Sequence, residues 1–259
     1  MTFFLFHCSF IIPLLTTLYN ATRTHCIVQP EVARLDKRLI FSWSSGIEYN
    51  KYNKTKEFSD SEAIMFEFVL SLATYALSES NIGCDACVDG DFPQASRQFA
   101  KTAGIFKYLG EEVLPNWMAN SMQHAEMENE TLAETRVGVC LAMQHLYMAM
   151  GQQMAVAVML AKPGTPNYVL LGKLSSGIAE ELESFVTTFR SQSPVHMSRI
   201  DKSFLTLITF LTNIHRSLSL YFLGRSLWLS CEYGVAIASM SEATVAARTR
   251  ATPTGRGCK

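Results

Sequence analysis

The sequence has few charged residues, and their signs almost cancel. Asp, Glu, Lys and Arg make up 17% of the 259 residues, with Lys+Arg 22 against Asp+Glu 23 and a formal net charge of −1. Proteins that hold nucleic acid through its phosphates need a broad excess of positive charge, which this chain lacks. We therefore expect no nucleic-acid partner.

Glycine and proline are also scarce, at Gly 14 and Pro 8. Their low number disfavours all-β and collagen-like architectures and favours long helices joined by few turns. The 48% of hydrophobic residues suffice for a sizeable core. The odd count of Cys 7 fits a reducing compartment better than a disulfide framework. Composition thus indicates a helix-rich cytoplasmic protein.

Residues 1–22 contain no Asp, Glu, Lys or Arg, and their apolar run resembles that of a secretory signal or a short membrane anchor. A signal carries Lys or Arg before the apolar stretch, whereas here the first charge is Arg23 and Pro13 interrupts the run. We favour a core-facing segment or a misplaced start. In the alternative of a secreted or anchored protein, the sequons at Asn20, Asn53 and Asn129 would be glycosylated.

Apolar spacing and breaker residues predict one short strand, at residues 39–43, followed by helices. Asp and Asn residues before the apolar runs are typical of helix starts, and Gly and Pro of helix ends. We expect the tail, residues 250–259, to be disordered. The predicted helices run from Asp60 to about Gly83, from Asp91 to Leu114, over residues 131–162, over residues 167–192, from Asp201 to Leu229 and over residues 235–248.

The last two predicted helices carry small or aromatic residues at helical spacing. This spacing predicts a tetratricopeptide-like hairpin, in which small residues let two helices approach and aromatic rings fill the groove. No clean repeat of period 34 occurs elsewhere, so the chain reads as a bundle or an irregular helical solenoid. The residues concerned are Tyr221, Gly224, Trp228, Ala236, Ser239 and Ala243.

No arrangement typical of catalysis or of metal binding stands out. Cys84 and Cys87 have C-x-x-C spacing, but no second ligand pair completes a zinc site. Lys173 follows a glycine as in a phosphate loop, but Leu174 stands where Ser or Thr is needed. We expect no enzyme, no cofactor and no metal, and keep a small enzyme with an unrecognised site as the less favoured class.

Two features predict a protein-binding surface. Five methionines, Met154 and Met159 among them, fall on the helix predicted at residues 131–162, where they form either an adaptable binding face or a plastic core. On the following helix, Leu170 and Leu174 lie one turn apart with Lys173 between them. This pair offers a small apolar ridge to a partner helix, with ordinary core packing as the alternative.

Five ordered segments resemble the Bro-one (BRO) domain family. They are RLDKRLIFSWSSG at residues 34–46, SEAIMFEFVLSLATYALS from residue 61, the string A-G-x-F-x-x-L at residues 103–109, the pair MAMGQQMAVAVML and LLGKLSSGIAEEL, and EYGVAIASMSEA from residue 232. The order of the segments over most of the chain makes the resemblance more specific than any one of them.

The resemblance implies a boomerang-shaped, mainly all-α helical solenoid with a minor N-terminal strand, here over residues 23–249. It implies a cytoplasmic scaffold, peripheral at endosomes, that binds the C-terminal amphipathic helix of an ESCRT-III subunit. A rhophilin-like signalling scaffold with a different ligand is the alternative within the same family.

The family's two aliphatic contacts fall on Leu170 and Leu174 of this sequence. An aromatic residue that completes the patch in the family aligns with Ala155, and a flanking lysine aligns with Pro93. The chain therefore departs from the family pattern at an anchor and at a charge. Loss of an aromatic anchor lowers affinity, and Met154 or Met159 would partly fill the gap.

Overall fold

The computed structural model describes residues 13–17, 40–48, 58–120 and 132–248, and these are mostly helical. The expected disorder of residues 250–259 and the sequons at Asn20, Asn53 and Asn129 lie outside the described residues, as does most of the uncharged segment 1–22. Residues 13–17 form a short helical segment. The boundaries of 1–22, 23–249 and 250–259 stay predictions.

The predicted strand is present as β1 (Phe41–Trp43) and pairs antiparallel with β2 (Ser59–Ser61). The pairing places Ser42 opposite Asp60, and the Ser42 hydroxyl donates a hydrogen bond to the Asp60 carboxylate. The sequence SDS of β2 contains no residue of high β-propensity, so only the tertiary structure identifies this partner strand.

Long helices make up most of the described chain. Residues Leu109–Val113 form a π-helical turn, and Ala133–Thr135 form a 3-10 turn. The helices are α1 (Ile64–Val88), α2 (Phe92–Tyr108), α3 (Leu114–Asn120), α4 (Val137–Ala161), α5 (Tyr168–Gln192), α6 (Pro194–Ser198), α7 (Lys202–Leu229) and α8 (Tyr233–Arg248).

Three helix starts lie where the sequence predicts them, because a side-chain oxygen caps each one. The Asp91 carboxylate accepts from the Gln94 amide at 3.0 Å, ahead of α2. The side-chain oxygen of Asn167 accepts from the Leu170 amide at 3.1 Å. Asp201 accepts from Ser203 N at 2.8 Å at the start of α7. Each cap satisfies a backbone N–H that has no partner within its helix.

The predicted end of the first helix near Asn81 and Gly83 is wrong, since α1 continues to Val88. Gly83 is buried, and a Cβ atom there would lie 2.9 Å from the Phe99 ring. This glycine therefore serves the close approach of α2 and does not cap the helix. The chain leaves the helix at Gly90, whose φ of 80° lies in the left-handed region that favours glycine.

The predicted helix end before Pro115 is also wrong. The Leu114 amide donates to the carbonyl of Leu109 across the π-helical turn, and α3 begins there with Pro115 in its first turn. Proline is tolerated at that position because the first amides of a helix have no partner within it. The short helix α6 begins at Pro194, in the stretch between the helix predicted over residues 167–192 and the one predicted from Asp201.

The helices contribute to two compact units. The first takes its described residues from Met1–Asn81, Lys101–Gln144 and Thr188–Arg199. Its fully buried side chains include Val69, Phe106, Leu114, Val139 and Phe189. Glu79 is buried in the same unit, where the ammonium of Lys101 lies 2.7 Å from its carboxylate.

The second unit consists of Ile82–Ala100, His145–Thr187 and the described part of Ile200–Lys259. The Phe99 and Tyr147 rings stack with centroids 6.4 Å apart, and the Phe185 and Phe204 rings meet edge to face at 6.2 Å. Since aromatic side chains bury large apolar areas, these pairs contribute much of the packing energy of the unit.

Helices α7 and α8 form the predicted tetratricopeptide-like hairpin. Gly224 is buried, and a Cβ atom there would lie 2.8 Å from Met240 and 3.1 Å from the Ala236 carbonyl. At the open end of the hairpin the Ser217 hydroxyl donates to the Ala243 carbonyl at 2.7 Å. At the turn, the Trp228 and Tyr233 rings meet edge to face at 4.9 Å.

Two polar residues, His215 and Arg216, lie in the middle of α7. His215 is buried, and its Nε2 lies 3.0 Å from the side-chain nitrogen of Gln153 on α4. Burial lowers the pKa of the His215 imidazole below its ordinary value. The more exposed Arg216 pairs with Glu183 on α5.

We expect substitution of Gly224 by Ala to destabilise the protein by about 1–3 kcal/mol, because the added methyl group overpacks the α7–α8 contact. The matched control is Gly104→Ala on α2, where a Cβ atom has nothing within 4 Å. That change should stabilise the protein by about 1 kcal/mol through helix propensity alone. Urea unfolding followed by circular dichroism measures both, and equal effects would contradict the packing argument.

We expect His215 to make stability depend on pH. Because its folded pKa lies below the unfolded value, the unfolded state binds the proton more readily. Its contribution to stability is therefore complete well above the unfolded pKa of about 6.5 and is lost as the pH falls towards the folded pKa, by at most about 1.4 kcal/mol per pH unit.

The measurement compares urea unfolding of the natural chain and of His215→Gln between pH 8 and pH 5. Other groups titrate in both proteins, so the difference between the two isolates His215. The natural chain should lose more stability on acidification, and parallel pH profiles would show that His215 carries no such linkage.

Candidate protein-interaction site on helices α4 and α5

Two contacts between α4 and α5 show which residues of the two helices lie opposite each other. His145 Nδ1 on α4 lies 2.7 Å from a carboxylate oxygen of Glu181 on α5. Further along, a Cβ atom on Gly177 would lie 3.1 Å from the side-chain oxygen of Gln152. Earlier residues of one helix thus meet later residues of the other, so the pair is antiparallel. With a rise of 1.5 Å per residue, Ala155 lies at about the level of Leu174.

The leucine pair lies on the side of α5 that faces α4. Leu170, Leu174, Gly177 and Glu181 follow one another at steps of four, three and four residues, so they share one face of the helix. Gly177 and Glu181 contact α4 on this face. Leu170 remains 43% exposed and Leu174 is half-buried. The apolar ridge predicted from the sequence is therefore a partly open surface.

Helix α4 brings Met159 and Ala155 to the same seam. Met159 follows Gln152 by seven residues, and Ala155 follows it by three, so both lie on or beside the face that meets α5. Both are half-buried. Met154 comes two residues after Gln152 and therefore points away from this face. Met154 belongs to the candidate site predicted from the sequence, but in the structure it lies on another side of α4.

Lys173 is the charge closest to the leucine pair along the chain, and the next charges are Glu180 and Glu181 after the pair and Lys162 before it. Between residues 146 and 179 the sequence contains Lys162 and Lys173 and no Asp or Glu. Both lysines are exposed. Lys173 directly precedes Leu174 and lies on the solvent side of α5. We call these two lysines the basic rim of the seam; Glu181, on the same face of α5 two turns beyond Leu174, pairs with His145.

Helix α2 borders α4 on another side. The Ser96 hydroxyl donates to the Gly151 carbonyl at 3.0 Å, and a Cβ atom on Gly151 would lie 3.6 Å from the Ser96 carbonyl oxygen. The Phe99–Tyr147 stack shows that these helices too are antiparallel. Pro93 therefore lies within one turn of the level of Ala155, and it is exposed.

Helix α7 holds α5 in position from the opposite side. A Cβ atom on Gly172 would lie 3.5 Å from the Ser219 carbonyl oxygen and 3.7 Å from Phe222. The Arg225 guanidinium lies 5.3 Å from the centre of the Tyr168 ring, at the first residue of α5. The leucine pair therefore stands on a helix that is held along both sides.

Sequence reasoning missed one exposed residue of this surface, Met148, which is 36% exposed on α4. It precedes Gln152 by four residues and so lies on the same face. Its signal in the sequence was the methionine cluster itself, but spacing does not reveal which methionines reach the surface. The others of that cluster, Met143, Met150, Met154 and Met159, are buried or half-buried.

The described residues contain no group of three or more His, Cys, Asp or Glu side chains able to hold a metal ion. Cys84 and Cys87 lie in the last turns of α1, beyond the helix end predicted near Gly83. Burial raises the pKa of the Cys84 thiol, with further contributions from Cys87 and Asp85, so this group is not an activated nucleophile. In the part of the chain that the structure describes, no helix has the length and hydropathy needed to span a membrane.

One known family accounts for most of the chain. The family model for the BRO1-like domain covers residues 28–255. This chain belongs to the BRO1-like domain family. The family predicted from the sequence is thereby confirmed. No curated protein matches the sequence.

Solved structures with the same fold include two of ALIX. The crystal structure of ALIX with the SIVmac239 PYKEVTEDL late domain has a TM-score of 0.67 and 14% identity, over 91% of this chain and 32% of that one. The ALIX BRO1 CHMP4C complex has a TM-score of 0.66 and 16% identity, over 91% and 64%.

A third similar structure describes the basis for endosomal targeting by the Bro1 domain, with a TM-score of 0.71 and 17% identity over 91% of this chain and 57% of that one. The BRO1-like chain thus spans less than two thirds of each of these three proteins. These likenesses confirm the mainly all-α fold class with its minor strand.

Proposed function

We propose that this protein is a scaffold of endosomal sorting, not an enzyme, and that Leu170 and Leu174 bind the C-terminal amphipathic helix of an ESCRT-III subunit. The observation that carries the proposal is the partly open leucine pair on the α4–α5 seam. A partner helix places apolar residues at steps of three and four, which matches two leucines one turn apart.

The basic rim adds charge complementarity to this apolar contact. Lys162 and Lys173 would meet acidic side chains on the polar face of the partner helix. Charges at the rim of an interface raise the association rate and select the orientation more than they raise affinity. An amphipathic helix with acidic residues beside its apolar stripe is therefore the preferred partner chemistry.

The similar structures support this reading at the level of the family. One of them is of ALIX BRO1 with CHMP4C, and another concerns endosomal targeting by the Bro1 domain. Helical binding at the seam fits a protein that acts in the cytoplasm and associates peripherally with endosomes.

The seam lacks a large anchor on α4. After Tyr147 the helix carries no aromatic residue, and Ala155 stands at the level of Leu174. A partner could compensate for the missing anchor by burying a large side chain against Ala155. The flexible side chain of Met159 would adapt to the shape of that residue. The preferred ligand of this chain is accordingly a helix with a bulky apolar residue at its centre.

We expect Leu174→Asp to weaken binding of an ESCRT-III C-terminal helix at least tenfold, because it places a charge in the apolar centre of the contact. Leu170→Asp should do the same. Fluorescence anisotropy with labelled C-terminal helices of ESCRT-III subunits from the same organism measures the affinity, and circular dichroism checks that helix content is unchanged.

The matched control is Leu207→Asp. Leu207 is 49% exposed, but it lies on α7 and outside the seam. Binding should be unchanged in this variant. Undiminished binding by Leu174→Asp would remove the site from the seam, and failure of the natural folded chain to bind any ESCRT-III helix would favour a rhophilin-like signalling scaffold with a different ligand.

Reversing the charge at Lys173 should weaken binding several-fold and flatten its salt dependence, because the rim then repels an acidic partner. The control is Lys202→Glu at the start of α7, which reverses another exposed charge, outside the seam. Titrations at low and high salt separate the two variants. Equal losses in both would mean that net charge, and not the rim of the seam, governs association.

A further inference from the structure

A second concave feature lies in the first unit, apart from the α4–α5 seam. It is a cavity of about 220 Å³ between the chain after β1 and one face of α1. We call it the Glu134 cavity. Its walls are Trp43, Ser44, Ser45, Gly46, Leu70, Ala73, Thr74, Leu77 and Glu134. Since one water molecule takes about 30 Å³ of liquid volume, the cavity has room for an organic group.

Glu134 is a polar residue of this cavity with hydrogen-bond donors on only one of its two carboxyl oxygens. It is 3% exposed, on the 3-10 turn before α4. Its Oε1 accepts hydrogen bonds from the Gly46 amide at 2.7 Å and from the Ser45 hydroxyl at 3.1 Å. Its Oε2 is buried and has no hydrogen-bond partner among the described residues. A buried carboxyl oxygen without a partner is costly, which points to a group that the cavity receives.

The surroundings favour a cation over an anion. None of the residues that line the cavity is basic. Trp43 donates from its indole N–H to Glu67, so a second carboxylate stands behind this wall. Burial, with a smaller contribution from the charge of Glu48, raises the pKa of the Glu134 carboxyl. A cation beside Oε2 would favour the ionised form and offset this cost.

The remaining walls are apolar. Leu70 and Ala73 are buried, and Leu77 completes that side of the cavity. Such walls favour methylene groups over water. Together with a single carboxyl oxygen they define a ligand that has one hydrogen-bonding cation at the end of an apolar chain.

We propose that the Glu134 cavity binds an organic ammonium group on a short apolar chain, with the ammonium donating to Oε2 of Glu134. The ligand is either a free alkylamine or the lysine side chain of a partner protein. The Ser45 hydroxyl and the Gly46 amide hold the carboxylate in place through its other oxygen, so the acceptor is positioned before the ligand arrives. This site is separate in the chain from the leucine pair.

The test uses the full chain and hexylammonium as the probe, with 1-hexanol as the neutral probe of the same length. The Gly46 amide is the local reporter, because it donates to the same carboxylate and its NMR shift responds to the charge there. Hexylammonium should produce a saturable shift of this resonance. The alcohol should bind at least tenfold more weakly, and equal affinity of the two probes would overturn the proposal.

Two variants separate the carboxylate from the cavity. Glu134→Gln keeps the acceptor oxygen for Ser45 and Gly46 but removes the charge, and it should weaken hexylammonium binding at least tenfold. Ala73→Leu keeps the carboxylate but fills the cavity, so it should abolish binding. This variant tests the site independently if Glu134→Gln folds poorly. Unaltered binding by both folded variants would refute the site. The Leu174→Asp chain should bind the amine as the natural chain does.

A competition experiment identifies the source of the ammonium. A short peptide with one lysine either displaces hexylammonium from the cavity or does not, and its acetyl-lysine counterpart is the control. Displacement by lysine alone assigns the site to a partner's side chain. Amine binding that neither peptide affects assigns it to a free alkylamine. Displacement by both peptides alike would mean that no cation is recognised, which contradicts the proposal.

Discussion

Close approach of neighbouring helices is the constraint on which this structure depends. At several contacts between described helices, one helix presents a glycine to the other, and at Gly83 and Gly224 a side chain would not fit without a shift. A Cβ atom at such a position would lie within 2.8–3.6 Å of the opposing helix. These contacts bury apolar side chains on either side of the glycine, and that burial is the main source of stability. The positions are Gly83 against Phe99, Gly151 against Ser96, Gly172 against Ser219 and Gly224 against Met240.

The same constraint creates the candidate binding surface. Gly172 faces α7, and Gly177 meets Gln152 of α4, so α5 contacts a neighbouring helix on two sides. Leu170 and Leu174 lie along the contact between α4 and α5, which leaves both side chains partly exposed. Because α5 is held by its neighbours, the leucine pair loses little conformational entropy when a partner binds. This favours recognition of a partner helix.

Among the described residues, the buried ionisable side chains Glu79, His215 and Glu134 stand in three different electrostatic settings. Glu79 is compensated by the ammonium of Lys101 at 2.7 Å. His215 lies beside the amide of Gln153, and burial favours its neutral form. Glu134 has backbone and hydroxyl donors on one oxygen alone. In an interior of low dielectric, a carboxyl oxygen without a hydrogen-bond donor, such as Oε2 of Glu134, lowers the stability of the fold. A ligand that donates to this oxygen would therefore stabilise the protein.

The sequence by itself determined the helical class and the capped starts at Asp91, Asn167 and Asp201, because periodicity and capping are local properties of the chain. It also placed Leu170 and Leu174 one turn apart, but it left open whether they form an exposed ridge or part of the core. It did not determine the end of α1, where Gly83 looks like a stop signal but serves the approach of Phe99. Nor did it separate Met154 from Met159, since only the contact of Gln152 with Gly177 defines which face of α4 meets α5. The Glu134 cavity is likewise a product of tertiary structure, because Ser45, Ala73 and Glu134 are distant in sequence and only folding brings them together.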